Sequence, residues 1–358
     1  MNITIVGCGN IGTQFAVHCA TKGHAVTVYC SRPTSVSKNL EIVDETGKHF
    51  LSGEIVEATN NEEKAFETAD LIFVTVPSFA MNEYAKKIIP HLKHGAMICL
   101  TPGTGGAEFA FMPALEKNCV IFGIQRVPSV ARLVEYGKIV CASGYRNELF
   151  CAAIPSTFSA QAAQIIENIF NITCIPMPNY LNVTLTPSNP ILHTTRLKTL
   201  FKDYFDGYVY ESVPLFYEEW NDESSDLLLK CDQEVQNICK AIDTFDLSYV
   251  KSLKLHYESQ TPEQLTKKIT SIKSFKGLKS PCIEVEKGYI PDFSSRYFTA
   301  DFPYGLSILV QLSNLLGLDC PYMQQTLDWY YNIVPKVNEF SFADYGIKCI
   351  SELIDFYK

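Results

Sequence analysis

A chain of 358 residues, 47% hydrophobic and 19% charged, is longer than one ordinary hydrophobic core serves, so two domains are expected. Thirty basic against 39 acidic residues leave a formal net charge of −9, which argues against binding to nucleic acid or to an anionic membrane surface. No run reaches the about 20 apolar residues of a membrane span. The thirteen cysteines are scattered, without a C-x-x-C pair or a Cys/His cluster, as expected of reduced thiols in a cytoplasmic protein with no metal site.

In chain order, Ile3–Val6, Ala25–Tyr29, Leu71–Val76, Ala96–Leu100 and Val120–Phe122 are short apolar runs that predict buried strands. The first begins almost at the N-terminus, so no signal peptide is expected ahead of it. Ile11–Thr21 and Phe79–Leu92 predict helices between the strands, the second with Ser78 as its N-cap. Residues 40–57 alternate like an inserted hairpin. Ala160–Phe170 predicts a further helix, and Ile172–Ile175 the last strand of the series. Beyond "MPNYLNVTLTP" the texture turns helical, at Leu227–Ala241, Pro262–Ile272, Tyr304–Leu316 and Pro321–Ile333. The expectation is an α/β protein: an N-terminal doubly wound, mostly parallel sheet in residues 1–184, then an all-α C-terminal domain in 185–358.

Gly7-Cys8-Gly9-Asn10-Ile11-Gly12 lies between the first strand and the first helix, where each glycine has a physical task. Gly7 permits the tight turn, Gly9 lets backbone approach a pyrophosphate, and Gly12 allows close packing of helix on strand. The phosphates then meet N–H groups at the positive helix terminus. This is the Rossmann pattern for a nicotinamide dinucleotide. The second strand ends in Tyr29-Cys30-Ser31-Arg32-Pro33, without the acid that would hold ribose hydroxyls. Ser31 and Arg32 suit a 2′-phosphate, with Lys38 as a second positive charge, so NADP is preferred to NAD. Pro77, after the third long strand, and Gly103 in "TPGTGG" are placed to wall the nicotinamide.

Hydride transfer needs a partner group for protons. Of seven histidines, His193 in "NPILHTTR" stands out, because it lies just past the domain boundary. "RYFTADFPYGL" (296–306) offers Asp301 and Arg296. By local chemistry Asp301 caps the helix that follows and Arg296 is a surface ion-pair partner. Arg132, in "VPSVARL", pairs with Glu135 or holds a carboxylate. Trp220 and Tyr208 read as core aromatics.

The fingerprint "GCGNIG", "TPGTGG", "VPSVARL", "NPILHTTR" and "RYFTADFPYGL" occur together and in this order. The combination resembles the opine dehydrogenase family, of the octopine/nopaline dehydrogenase type, over nearly the whole chain. Here Ala300 stands where that family often has Glu, and Thr194 follows the histidine where Pro is frequent. The resemblance implies a Rossmann domain joined to a helical domain like the C-terminal domain of 6-phosphogluconate dehydrogenase. It also implies reductive condensation of an amino acid with a 2-oxo acid, through an imine, at the expense of NAD(P)H. His193 is then the general acid/base, Asp301 orients it and favours its protonated form, and Arg296 with Arg132 binds substrate carboxylates. A homodimer is compatible with such a chain. Two rivals stand beside this reading: an NADP-dependent 2-oxo-acid reductase of the ketopantoate reductase kind, using Lys198 or Lys202, and a non-catalytic dinucleotide sensor.

Overall fold

The structure is a computed structural model that describes residues 1–101, 103–334 and 338–358. The chain divides into two compact units, Met1–Thr184 with Asp355–Lys358, and Leu185–Ile354. Among the described residues no helix is long and apolar enough to cross a membrane.

The first unit is built on an eight-stranded sheet. Its spatial order is Thr173–Pro176, Glu148–Ile154, Val120–Ile124, Met97–Leu100, Leu71–Val74, Asn2–Val6, Ala25–Tyr29 and Glu57–Thr59. Neighbours run parallel except Glu148–Ile154 against Val120–Ile124. Ile3, Ile5, Val26, Val28, Leu71, Phe73 and Cys99 are buried along the central strands. Unbroken apolar runs of this kind specify strands covered on both faces. Phe15, in helix Asn10–Thr21, meets Phe73 edge-on at 5.1 Å and Phe170 at 4.6 Å, so helix Ser159–Phe170 lies on the same face.

A second sheet of four strands runs His49–Glu54, Asn39–Val43, Ile139–Ser143, Val130–Glu135. The first two form the antiparallel hairpin expected within 40–57, whereas Glu57–Thr59 leaves it for the main sheet. Val130–Glu135, Ile139–Ser143 and Glu148–Ile154 go beyond the sequence reading. Val130–Glu135 buries Ala131 fully and little else, so its apolar alternation is faint. The expected helix Phe79–Leu92 is shorter, Met81–Ile88, with a single 3₁₀ turn on either side. Pro77 holds the N-cap position of the first turn, and Ser78 caps nothing.

The second unit is mainly helical, with Asn189–Leu200, Asp222–Ala241, Pro262–Ser271, Ser307–Leu315 and Pro321–Ile333 as its main helices. Two of their starts are capped as their sequences dictate: Asn221 Oδ1 accepts from the Ser224 N–H, and the Thr261 hydroxyl from the Gln264 N–H. The all-α expectation needs one correction. Cys282–Val285 and Gly288–Pro291 form an antiparallel ribbon joined by a turn at Glu286-Lys287, and Gly288, which opens the second strand, has a φ of +143° that excludes most side chains. Phe302 stacks on Tyr330 at 4.4 Å within the core of this unit.

Residues 355–358, expected with the second domain, belong to the first unit because their aromatic side chains are seated there. The Phe356 ring lies 4.9 Å from Phe109, and Asn179 Nδ2 donates to the Tyr357 carbonyl at 3.0 Å. The Tyr357 hydroxyl donates to Glu108 Oε1 at 2.6 Å, and Thr184 Oγ1 donates to the same oxygen at 2.5 Å. Glu108 is fully buried, and burial outweighs both hydrogen bonds, pushing its pKa up from 4.5 to about 7. The folded state therefore keeps this proton to a higher pH than the unfolded chain does. Its stabilising contribution is complete below the unfolded value and is lost as pH rises through about 7. The loss amounts to roughly 3 kcal/mol. Glu108→Gln removes the titration. The wild-type Tm should fall between about pH 5 and 8 more steeply than that of the variant, as measured by scanning calorimetry.

Candidate active site

His193 sits within helix Asn189–Leu200, whose first turn holds Pro190 and whose middle residues are buried. Thr194 and Thr195 satisfy their buried hydroxyls by donating back to the carbonyls of Pro190 and Ile191, each at 2.6 Å. The imidazole is thus carried on a rigid element and is itself nearly buried.

Asp301 reaches it from a remote segment. Arg296–Thr299 forms one helical turn, followed by a widened turn at Phe302–Leu306. Pro303 has no N–H to offer this turn. The Leu306 N–H bonds the Asp301 carbonyl at 2.8 Å, five residues back. The capping role expected of Asp301 is absent: its backbone is already helical, and its side chain caps no N–H. Its carboxylate lies instead 2.8 Å from His193 Nδ1. An ionised carboxylate only accepts, so Nδ1 carries a proton and Nε2 is the nitrogen that exchanges one. The Tyr297 ring, 4.6 Å away, and Phe216 flank the imidazole.

The two cations proposed for carboxylates are both exposed. Among the described residues neither Arg296 nor Arg132 has an acidic side chain within ion-pair distance. Arg132, on strand Val130–Glu135, donates to the Ala131 carbonyl at 2.9 Å. Its expected partner Glu135 pairs with Lys138 at 3.2 Å, on the far side of a turn. Lys202 is engaged by both oxygens of Glu223, at 2.9 and 2.8 Å. Trp220 is buried, its Nε1 donating to Ser225 Oγ, whereas Tyr208 is 37% exposed and does not belong to the core.

Sequence reasoning missed Tyr217 and Arg196. The Tyr217 hydroxyl is 3.0 Å from His193 Nε2. Arg196, only 2% exposed, donates to the carbonyls of Phe216 at 2.9 Å and Glu219 at 2.8 Å. Burial lowers its pKa to about 10, still well above neutrality. The one available signal was the aromatic density of "LFYEEW", which does not say which ring faces the histidine.

In the first unit, the glycine-rich turn fits a dinucleotide on steric grounds. Gly7 has φ +99°, and a Cβ at Gly12 would stand 1.9 Å from the Gly7 carbonyl oxygen. Among the described residues, a Cβ at Gly9 would meet nothing within 4 Å, so none of them accounts for that glycine. Among the described residues the first turn of helix Asn10–Thr21 has neither a side-chain cap nor an acidic residue, so its N–H groups are of the kind that can receive a phosphate. The side chains of Asn10 and Ile11 serve the protein: Asn10 Oδ1 accepts from the Leu133 N–H at 2.8 Å, and Ile11 packs on the core. Ser31, Arg32 and Lys38 are exposed, with the Arg32 guanidinium 3.9 Å above the Tyr136 ring. Pro77 is half-buried at the turn after its strand. Gly103, expected beside the nicotinamide, is buried against Tyr180, whose hydroxyl donates to its carbonyl at 3.0 Å. A Cβ there would stand 2.7 Å from Val183, so packing accounts for this glycine. Pro102 of the same loop lies outside the described residues.

Two family models match the chain. One describes the N-terminus of NAD-dependent glycerol-3-phosphate dehydrogenase, over residues 2–112. The other describes the alpha-helical domain of NAD/NADP octopine/nopaline dehydrogenase, over residues 176–334. Together with the glycine turn, they make this chain an NAD(P)-dependent oxidoreductase. It is 31% identical to an opine dehydrogenase of Haliotis discus hannai, over 76% of this chain and 71% of that one. It is 26% identical to a tauropine dehydrogenase of Arabella iricolor, over 93% and 91%. Octopine dehydrogenase solved with NADH and L-arginine has the same fold, with a TM-score of 0.85 at 22% identity over 100% of this chain and 98% of that one. Its structure with NADH and pyruvate matches equally, at 23% identity. The chain belongs to the opine dehydrogenase family, as its motifs suggested.

The two glycines should separate folding from binding. Gly12→Ala should lower Tm by several degrees, because its Cβ meets backbone. Gly9→Ala should leave Tm within about 2 °C but weaken dinucleotide binding at least about tenfold in a fluorescence titration.

Proposed function

We propose that this protein is an opine dehydrogenase in activity as well as in family. It joins the α-amine of an amino acid to the carbonyl of a 2-oxo acid and reduces the imine to a secondary-amine dicarboxylate, or runs the reverse oxidation. The observation that carries the reading is the 2.8 Å contact between His193 Nδ1 and Asp301, a proton-handling pair in a chain whose other unit has a dinucleotide turn. The solved relative was obtained with L-arginine and with pyruvate, one substrate of each class.

When bound, the nicotinamide supplies the hydride. The chain's own residues manage protons and position. Asp301 accepts from Nδ1–H, fixes the tautomer and steadies the imidazolium. The His193 side of the site then provides the proton that lets the carbinolamine hydroxyl leave as water, and takes it back in the oxidative direction. Arg296 clamps a substrate carboxylate, holding the reacting carbon in place, and Arg132 is a second carboxylate contact. Their lack of acidic partners among the described residues supports these roles.

For the cofactor we propose NADP(H). Ser31, Arg32 and Lys38 follow the second strand in a stretch, residues 30–39, that contains no acidic residue, and Tyr136 holds the Arg32 guanidinium from one face. Gly7, Gly9 and Gly12, with the backbone N–H groups of Asn10 and Ile11, would cradle the pyrophosphate.

Oxidation of NADPH with pyruvate or glyoxylate should depend on an added amino acid. Equal turnover without any amine would replace this reading by a simple 2-oxo-acid reductase. His193→Asn should lower kcat by roughly 10²–10⁴ while leaving dinucleotide affinity unchanged. Arg32→Ala should reduce the ratio of kcat/KM for NADPH over NADH by at least about tenfold. An unchanged ratio would remove the NADP assignment alone.

A further inference from the structure

Both ring nitrogens of His193 are taken by protein groups: Nδ1 by Asp301 at 2.8 Å and Nε2 by the Tyr217 hydroxyl at 3.0 Å. Neither contact is with a substrate, so a proton exchanged at Nε2 must pass through Tyr217 or wait for that ring to leave. The ring is not built to leave. Tyr217 is 5% exposed and lies nearly parallel to Phe275, with ring centroids 4.0 Å apart and planes at 17°. Trp220 stacks in the same orientation at 6.2 Å and 8°. Its backbone is clamped as well, since Arg196 binds the carbonyls of Phe216 and Glu219 on either side. Arg196 stands one turn along the helix from His193, so one rigid element carries the imidazole and the clamp.

We propose that Tyr217 is a further catalytic residue of this site, the hydroxyl through which His193 exchanges protons with the substrate. The inference rests on the function proposed above. In the resting state Nδ1–H donates to Asp301, and the Tyr217 O–H donates to the bare Nε2. With His193 protonated the second bond reverses: Nε2–H donates to Tyr217 Oη, whose own O–H donates to the carbinolamine hydroxyl. In the transfer the Oη–H bond breaks as a bond to the departing oxygen forms, and the Nε2–H proton replaces it on Oη. The carbon–oxygen bond breaks, water leaves, and the nitrogen lone pair closes the iminium double bond. His193 ends neutral with its proton on Nδ1, and Tyr217 ends unchanged. One proton is delivered through two transfers, and the reverse sequence serves the oxidation.

Tyr217→Phe removes the hydroxyl and keeps the stacked ring. With saturating amino acid, 2-oxo acid and NADPH, kcat should fall by about 10- to 100-fold, with KM values within about twofold. A structural effect alone would not alter the count of protons in flight. Rates in mixtures of H2O and D2O should give a curved dependence on deuterium fraction for the wild type and a straight line for the variant. Tyr217→Phe with undiminished kcat overturns the relay, and so does a fall in kcat with the same dependence on deuterium in both proteins. His193→Asn, assayed alongside, keeps the two readings apart. If it is inactive while Tyr217→Phe is fully active, the relay fails and the His193–Asp301 assignment stands. If both retain full activity, the site itself is misassigned.

Discussion

The hydrogen bond between His193 Nδ1 and Asp301 sets the geometry of the candidate site in the helical unit. A carboxylate can only accept, so the bond fixes the imidazole tautomer and confines proton exchange to Nε2. It also explains a departure from local helix chemistry. Asp301 stands where a capping aspartate is expected, ahead of Phe302-Pro303, yet its side chain leaves the backbone unserved. A cap of this kind is worth about 1 kcal/mol. Forgoing it is understandable only if the carboxylate has another task, and the widened turn at Phe302–Leu306 accommodates both Pro303 and the displaced side chain.

The dinucleotide turn is governed by the opposite kind of constraint, namely empty space. Gly12 is fixed by the protein, because a Cβ would collide with the Gly7 carbonyl. Gly9 is fixed by nothing among the described residues. A residue kept free of side chain without an internal steric reason points to a ligand that needs the room. Gly103, by contrast, has a steric reason within the protein, since a Cβ there would press on Val183 and Tyr180.

Much of the architecture was legible in the residues. Short runs rich in β-branched residues, such as Ile3–Val6 and Leu71–Val74, announce strands buried on both faces, and Pro321–Ile333 falls where its periodicity puts it. Strands buried on one face only weakly, such as Val130–Glu135, were illegible because their apolar alternation barely exceeds that of a loop. The ribbon at Cys282–Pro291 is short and half-exposed, and it escaped for the same reason. In the site, His193 and Asp301 were nameable because each belongs to a motif, although 108 residues separate them. Tyr217 was not nameable. Its partner is 24 residues away, and one ring among the aromatics of "LFYEEW" differs from its neighbours only by where the fold points it.

Arginine shows how burial decides role. Arg196 is sealed inside the helical unit, and its hydrogen bonds there include two short ones to backbone carbonyls. A guanidinium so placed is costly to desolvate and gains only if its donors are met, which makes it a strut for the segment it grips. Arg296 and Arg132 are the converse case: exposed, without ion-pair partners among the described residues, and retaining donors that a planar carboxylate can meet two at a time. The same side chain is therefore a structural tie where its donors meet backbone carbonyls, and it leaves donors open to solvent where it is exposed. The sequence does not draw that distinction: Arg196, in "HTTRLK", is the buried one, although Arg132, in "SVARLV", has the more apolar neighbours.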